Sequence, residues 1–101
     1  MRSAVLGPAY GKSLQEVVFR LDGGRVPRGN SVVLVGSFNR WDTSVHHLER
    51  AQDGGWTIAL ALAPGRYPYL FIVDGVPWND PMDDGRVPCE WGGQYSVRNV
   101  H

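Results

Sequence analysis

The order of apolar and polar positions along the chain predicts an all-β domain. Val17, Phe19 and Leu21 alternate with Glu16, Val18 and Arg20, the period-two pattern of a half-buried strand, and Asp22-Gly23-Gly24 ends the run. Residues 31–37 form a nearly continuous Val-rich stretch, as expected of a central strand covered on both faces. A short strand is expected around residues 45–49. After the turn signal Asp53-Gly54-Gly55, Trp56, Ile58, Leu60 and Leu62 share one face while Thr57, Ala59 and Ala61 share the other. Pro64-Gly65 then turns the chain into another strand, so these two strands are expected to neighbour each other in hairpin order. In the second, Tyr67, Tyr69, Phe71 and Val73 face one way and Pro68, Leu70 and Ile72 the other. Asp74-Gly75 closes it ahead of a short segment at 76–78. Residues 79–89 hold Asp80-Pro81, Asp83-Asp84-Gly85 and Pro88 and read as loop, and 93–100 supply a last strand.

Residues 1–12 carry Gly7, Pro8 and Gly11 without periodicity and are expected to be a tail, leaving the domain at 13–101. About seven short strands, turn-punctuated and with no helical stretch of useful length, predict an antiparallel β-sandwich of immunoglobulin-like type.

Length and charge narrow the picture. A chain of 101 residues makes one domain, with a core large enough to need neither metal nor disulfide. Ten Lys plus Arg balance ten Asp plus Glu, which leaves no basic footprint for nucleic acid or an anionic membrane. No apolar run approaches the roughly 18 residues of a membrane span, and the first eight residues lack the apolar stretch of a signal peptide. Cys89 stands alone and suits a reducing compartment, so a cytoplasmic location is expected.

Candidate catalytic chemistry is thin. His46 and His47 are adjacent, so on a strand they point to opposite faces and cannot share a metal or pair as acid and base; a solvated strand edge is expected there. The acidic stretch from Asp80 to Gly85 lacks the spacing and closing Glu of a calcium loop and reads as turn chemistry. No Ser sits in a nucleophile elbow. The expectation is therefore no enzyme, no cofactor and no metal. The aromatic residues remain. Trp56 reads as core, whereas Trp41, Trp78 and Trp91 lie in or beside loops. Such rings either cap the ends of a sandwich or offer a flat apolar face to a pyranose while neighbouring Asn, Arg and Asp groups bond its hydroxyls. Composition alone favours the capping reading.

Motifs shift that balance. Val33-Leu34-Val35-Gly36-Ser37-Phe38-Asn39-Arg40-Trp41-Asp42, Pro64-Gly65-Arg66-Tyr67 onward to Asp74-Gly75, Asn79-Asp80-Pro81 and Trp91-Gly92-Gly93 occur in order at compatible spacing. Together they resemble carbohydrate-binding module family 48, which holds the glycogen-binding domain of the AMP-activated protein kinase β-subunit and the N-terminal early-set domains of isoamylases and branching enzymes. The resemblance implies an immunoglobulin-like sandwich that binds α-glucan, glycogen or starch, through two Trp, a Lys, a Thr and an Asn. Carried over, the first platform is Trp41, with Asn39 and Arg40 as polar helpers. The Lys position falls on Leu70, and the Thr and Asn positions on Gly93 and Tyr95, where Tyr95 would stack or donate through its hydroxyl. The second platform falls on Pro77, with Trp78 one residue later; a bulge at Pro77 would be needed to bring that ring to the right face. Because Leu70 and Ile72 would then make an exposed apolar patch, the alternative is a protein-interaction module. It would dimerise or dock on an α-glucan-active enzyme or a kinase.

Overall fold

The structure, a computed structural model, describes residues 13–25, 31–90 and 92–101. The expected tail at 1–12 and Trp91 lie outside them. The described residues form strands β1 (Gln15–Leu21), β2 (Val32–Gly36), β3 (Glu49–Arg50), β4 (Trp56–Leu62), β5 (Gly65–Val73), β6 (Val76–Trp78), β7 (Gly85–Pro88) and β8 (Gln94–Val100). One sheet has the order β1-β4-β3; in the other β2, β5, β8 and β7 run side by side and β6 pairs with β5. The fold is all-β, a two-sheet sandwich of the immunoglobulin-like kind.

Alternation does what the sequence pattern requires. Val17, Phe19 and Leu21 of β1 are buried between exposed neighbours, and with Trp56 and Leu62 of β4 they meet Val32, Leu34, Tyr69, Phe71 and Val73 of the opposite sheet. Phe19, Tyr69 and Phe71 have no exposed surface, and burial of each contributes about 1.5–3 kcal/mol. Their rings meet edge to face, Phe19 on Tyr69 at 5.0 Å and Tyr69 on Phe71 at 6.1 Å. The Tyr69 hydroxyl donates to Oδ2 of buried Asp80 at 2.6 Å. Burial and the Asp80 carboxylate push that phenol well above its ordinary value, so it stays a donor. Arg98 stands over Phe19, 4.6 Å from the ring centre, and donates to the Val18 carbonyl at 3.0 Å, which ties β8 to β1 across the sandwich.

Three expectations change. First, β4 and β5 do not pair: β4 lies between β1 and β3, while β5 joins β2 and β8 in the other sheet. Residues 63–65 are a corner between sheets, braced by the Tyr67 hydroxyl donating to the Ala63 carbonyl at 2.7 Å. Alternation could not separate these outcomes, because either strand needs one inward face in both. Second, the strand expected at 45–49 is split between sheets. Leu34 N–H donates to His46 O and Leu48 N–H to Val32 O, after which Glu49 and Arg50 pair with β4. This crossing segment covers the outer edge of β2, so β2 is buried throughout although it ends its sheet. Third, the loop expected at 79–89 contains β7, which pairs with β8 from Gly85 opposite Val97 to Pro88 opposite Gln94. Its turn-rich composition suits a short edge strand, where Pro88 has no ladder donor to withhold.

A Cβ at Gly36 would lie 2.7 Å from the Phe38 ring and 2.8 Å from the Pro68 carbonyl oxygen. Gly36→Ala is therefore expected to lower stability by about 1–3 kcal/mol in urea unfolding; an unchanged midpoint would contradict this packing.

Candidate functional site

The segment after β2 sends Phe38, Asn39 and Trp41 to three different places. Phe38, in the 3₁₀ turn Ser37–Asn39, packs inward, 5.7 Å from Phe19 and 6.1 Å from Tyr67 between ring centres, with His46 edge-on at 6.3 Å. Asn39 ties the turn to the sheet. Its Oδ1 accepts the Gly36 N–H at 3.1 Å, and its Nδ2 donates to Leu34 O and to His46 Nδ1, each at 2.9 Å. Trp41 N–H then donates to Gly36 O at 3.0 Å. Arg40 and Trp41 have φ of 58° and 60°, a left-handed pair that costs on the order of 1–2 kcal/mol per residue. Asp42 fixes the exit by accepting the Ser44 N–H at 2.8 Å and its hydroxyl at 2.6 Å, which holds the carboxyl below its ordinary range.

This backbone turns the Trp41 indole onto the outer face of the five-stranded sheet, over Val33, Val35 and Leu70. Tyr95 reaches the same place from β8 and stacks on it at 4.5 Å between ring centres and a 34° tilt. The Tyr95 hydroxyl donates to exposed Glu90 Oε1 at 3.2 Å, and the partly exposed pair forms an apolar shelf, with exposed Arg40 next to Trp41 in the chain.

Among the sequence-derived candidates, the structure brings Trp41, Tyr95 and Leu70 together on one face, leaves Arg40 exposed next to Trp41 in the chain, and separates Trp78 from them. In the β5–β6 pairing Pro77 lies opposite Ile72 and Trp78 opposite Phe71. No bulge intervenes, so Trp78 shares the inward face of Phe71 and packs against the main core. It does not stand beside Trp41. Leu70 is only 4% exposed, beneath the aromatic pair; it supports the shelf, so of the exposed apolar patch expected from Leu70 and Ile72 only Ile72 is partly exposed. Asn39 spends its amide on the turn and is not a free helper. Nor is His46 a solvated edge residue: it is half-buried and bonded to Asn39, whereas His47 is exposed. Sequence spacing gave no sign of this link, which depends on the 46–48 crossing segment.

The acidic loop is internally occupied. Asp80 accepts from Tyr69 and from Met82 N–H, Asp83 from Arg86, and Asp84 from Asn99 N–H. No group of three or more His, Cys, Asp or Glu side chains converges to hold a metal among the described residues.

A family model described as the glycogen recognition site of AMP-activated protein kinase matches residues 17–85, from β1 to the start of β7. The chain belongs to this family. As a glycogen-recognition domain it is an α-glucan-binding module, and the segment presenting Trp41 lies inside the match. It is also 49% identical over 53 residues to Protein FLOURY ENDOSPERM 6, chloroplastic, of Oryza sativa subsp. japonica. It is 40% identical over 53 residues to Protein PTST homolog 2, chloroplastic, of Arabidopsis thaliana. Each alignment covers 52% of this chain and 10% of the relative, so the match spans about a tenth of those proteins. Both relatives are chloroplastic, which overturns the cytoplasmic expectation. A lone Cys89 separates reducing from oxidising surroundings but does not tell one reducing compartment from another.

Asn39→Ala removes the three bonds that hold the turn and strands the Gly36 N–H. It is expected to cost about 2–4 kcal/mol in urea unfolding, while Asn39→Asp, which keeps an acceptor for Gly36, is expected to cost less. Equal stability of Asn39→Ala and the parent would contradict this role.

Proposed function

We propose that this glycogen-recognition domain is non-catalytic and holds α-glucan on the Trp41–Tyr95 shelf. The observation that carries the reading is the stack itself. Two rings 4.5 Å apart are held on the outside of the sandwich by a strained turn and a strand. A pyranose presents an apolar C–H face and a rim of hydroxyls; a shelf of this kind takes the face. Exposed Glu90, bonded to Tyr95, supplies an acceptor for the rim, and exposed Arg40, next to Trp41 in the chain, a donor. Preorganisation favours binding, because Tyr95 already restrains the Trp41 ring before any sugar arrives.

Leu70 contributes from below and gives no cationic head. The rival reading, a docking or dimerising surface built on Leu70 and Ile72, loses its main support because Leu70 is buried under the rings. The chloroplastic relatives support a plastid as the setting and starch or a related α-glucan as the ligand.

Isothermal titration with β-cyclodextrin tests the site. Trp41→Ala is expected to weaken binding at least about tenfold, equivalent to about 1.4 kcal/mol, and Tyr95→Ala to weaken it as well. Trp78→Phe is expected to leave affinity within about twofold. Absence of heat with the parent protein, or binding that survives Trp41→Ala, would overturn the assignment.

A further inference from the structure

The turn that aims Trp41 is anchored to a side chain that titrates. Asn39 Nδ2 has two hydrogens; one goes to Leu34 O and the other to His46 Nδ1 at 2.9 Å. Its Oδ1 meanwhile accepts from Gly36 N–H, so the amide orientation is fixed by the backbone on two sides. With Nδ2 as donor, His46 Nδ1 must carry a lone pair, which makes the ring neutral with its proton on Nε2. The imidazole is also wedged edge-on against Phe38, and its own backbone carbonyl accepts from Leu34 N–H. It cannot step aside when protonated without disturbing either the turn or the edge of β2.

We propose that His46 is a positioning residue for the Trp41 platform: its neutral ring completes the Asn39 latch, and protonation of this one side chain releases the latch and weakens glucan binding. The inference rests on the assignment of the glucan site to Trp41. A protonated ring presents N–H toward an N–H donor, so the bond becomes a repulsion and Asn39 loses one of its three ties. The turn holds two left-handed residues, Arg40 and Trp41, and relaxes toward ordinary backbone geometry when a tie is lost.

The surroundings favour the neutral form. On the stretches around the ring, the charged or titratable side chains Arg40, Asp42, His47, Glu49 and Arg50 are exposed, and Tyr67, across Phe38, is half-buried. Burial holds His46 below the ordinary histidine value of 6.5. The sign follows. As pH falls below about 6.5 the unfolded chain takes up the proton first, so the stability contributed by this group is full above that pH and lost as pH falls through the folded value.

The test uses β-cyclodextrin affinity measured from pH 7.5 to 5.0, together with the NMR signals of the His46 ring and the Trp41 indole. The expected result is a fall of about two- to tenfold in affinity that follows protonation of His46, with the Trp41 indole signal moving over the same range. His46→Gln keeps a side-chain acceptor that does not titrate, and is expected to bind like the parent at pH 7.5 and to lose the fall. His47→Gln is expected to retain it. The inference is overturned if affinity stays flat while His46 titrates, if His46→Gln shows the same fall, or if the fall disappears in His47→Gln. Should the parent protein not bind β-cyclodextrin at pH 7.5, the glucan assignment fails. The latch is then still decided by whether the Trp41 signal follows His46 in the parent and ceases to move in His46→Gln.

Discussion

The five-stranded sheet is apolar on both faces, and the second sheet covers one of them. On β5, Tyr69, Phe71 and Val73 point into the sandwich while Leu70 points out, beside Val33 and Val35 of β2. A face of this kind left open to water would invite association. Here two partly exposed aromatic side chains lie over it, Trp41 from a turn and Tyr95 from β8. The pair of rings that covers the outer face is the same pair proposed to hold the sugar.

The details of the turn follow from that need. Trp41 must leave the end of β2 and fold back over the face of its own sheet, which the chain achieves with two left-handed residues and a bare Gly36. Such a conformation persists only when its surroundings over-determine it. Phe38 anchors it from the core, Asn39 from the backbone of β2, and Asp42 at its exit. His46 joins this set because the chain crosses between sheets at 46–50 and passes the turn as it does so. Sandwich architecture and platform geometry thus share one crossing segment.

Much of the fold was legible because alternation reports faces directly in β1, β4 and β5, and because the continuous apolar run of β2 marks a strand buried throughout. What alternation does not report is which strand an edge meets. The expected pairing across Pro64-Gly65 gave way to a corner between sheets, and β7 was hidden by Asp84-Gly85 and Pro88, residues equally at home in turns and on sheet edges. The site divided in the same way. The resemblance pointed to Trp41 and Tyr95, and the structure stacks these two rings. Trp78 illustrates the cost of a single-residue offset: opposite Phe71 its ring belongs to the core, and Pro77 occupies the outer face. The roles of Leu70 as support, Asn39 as tie and His46 as its acceptor are tertiary facts, carried by contacts between segments far from one another in register or sheet.

The central claim is that one outer-face shelf, made by Trp41 and Tyr95, receives the glucan. Two-dimensional NMR of the protein titrated with maltoheptaose tests it most directly. The account predicts that the largest shifts fall on the Trp41 indole, Tyr95 and the backbone of residues 36–42, while the Trp78 indole stays in place. Shifts centred on Trp78, or on the opposite side of the sandwich around Val18 and Met82 with Trp41 unmoved, would contradict it.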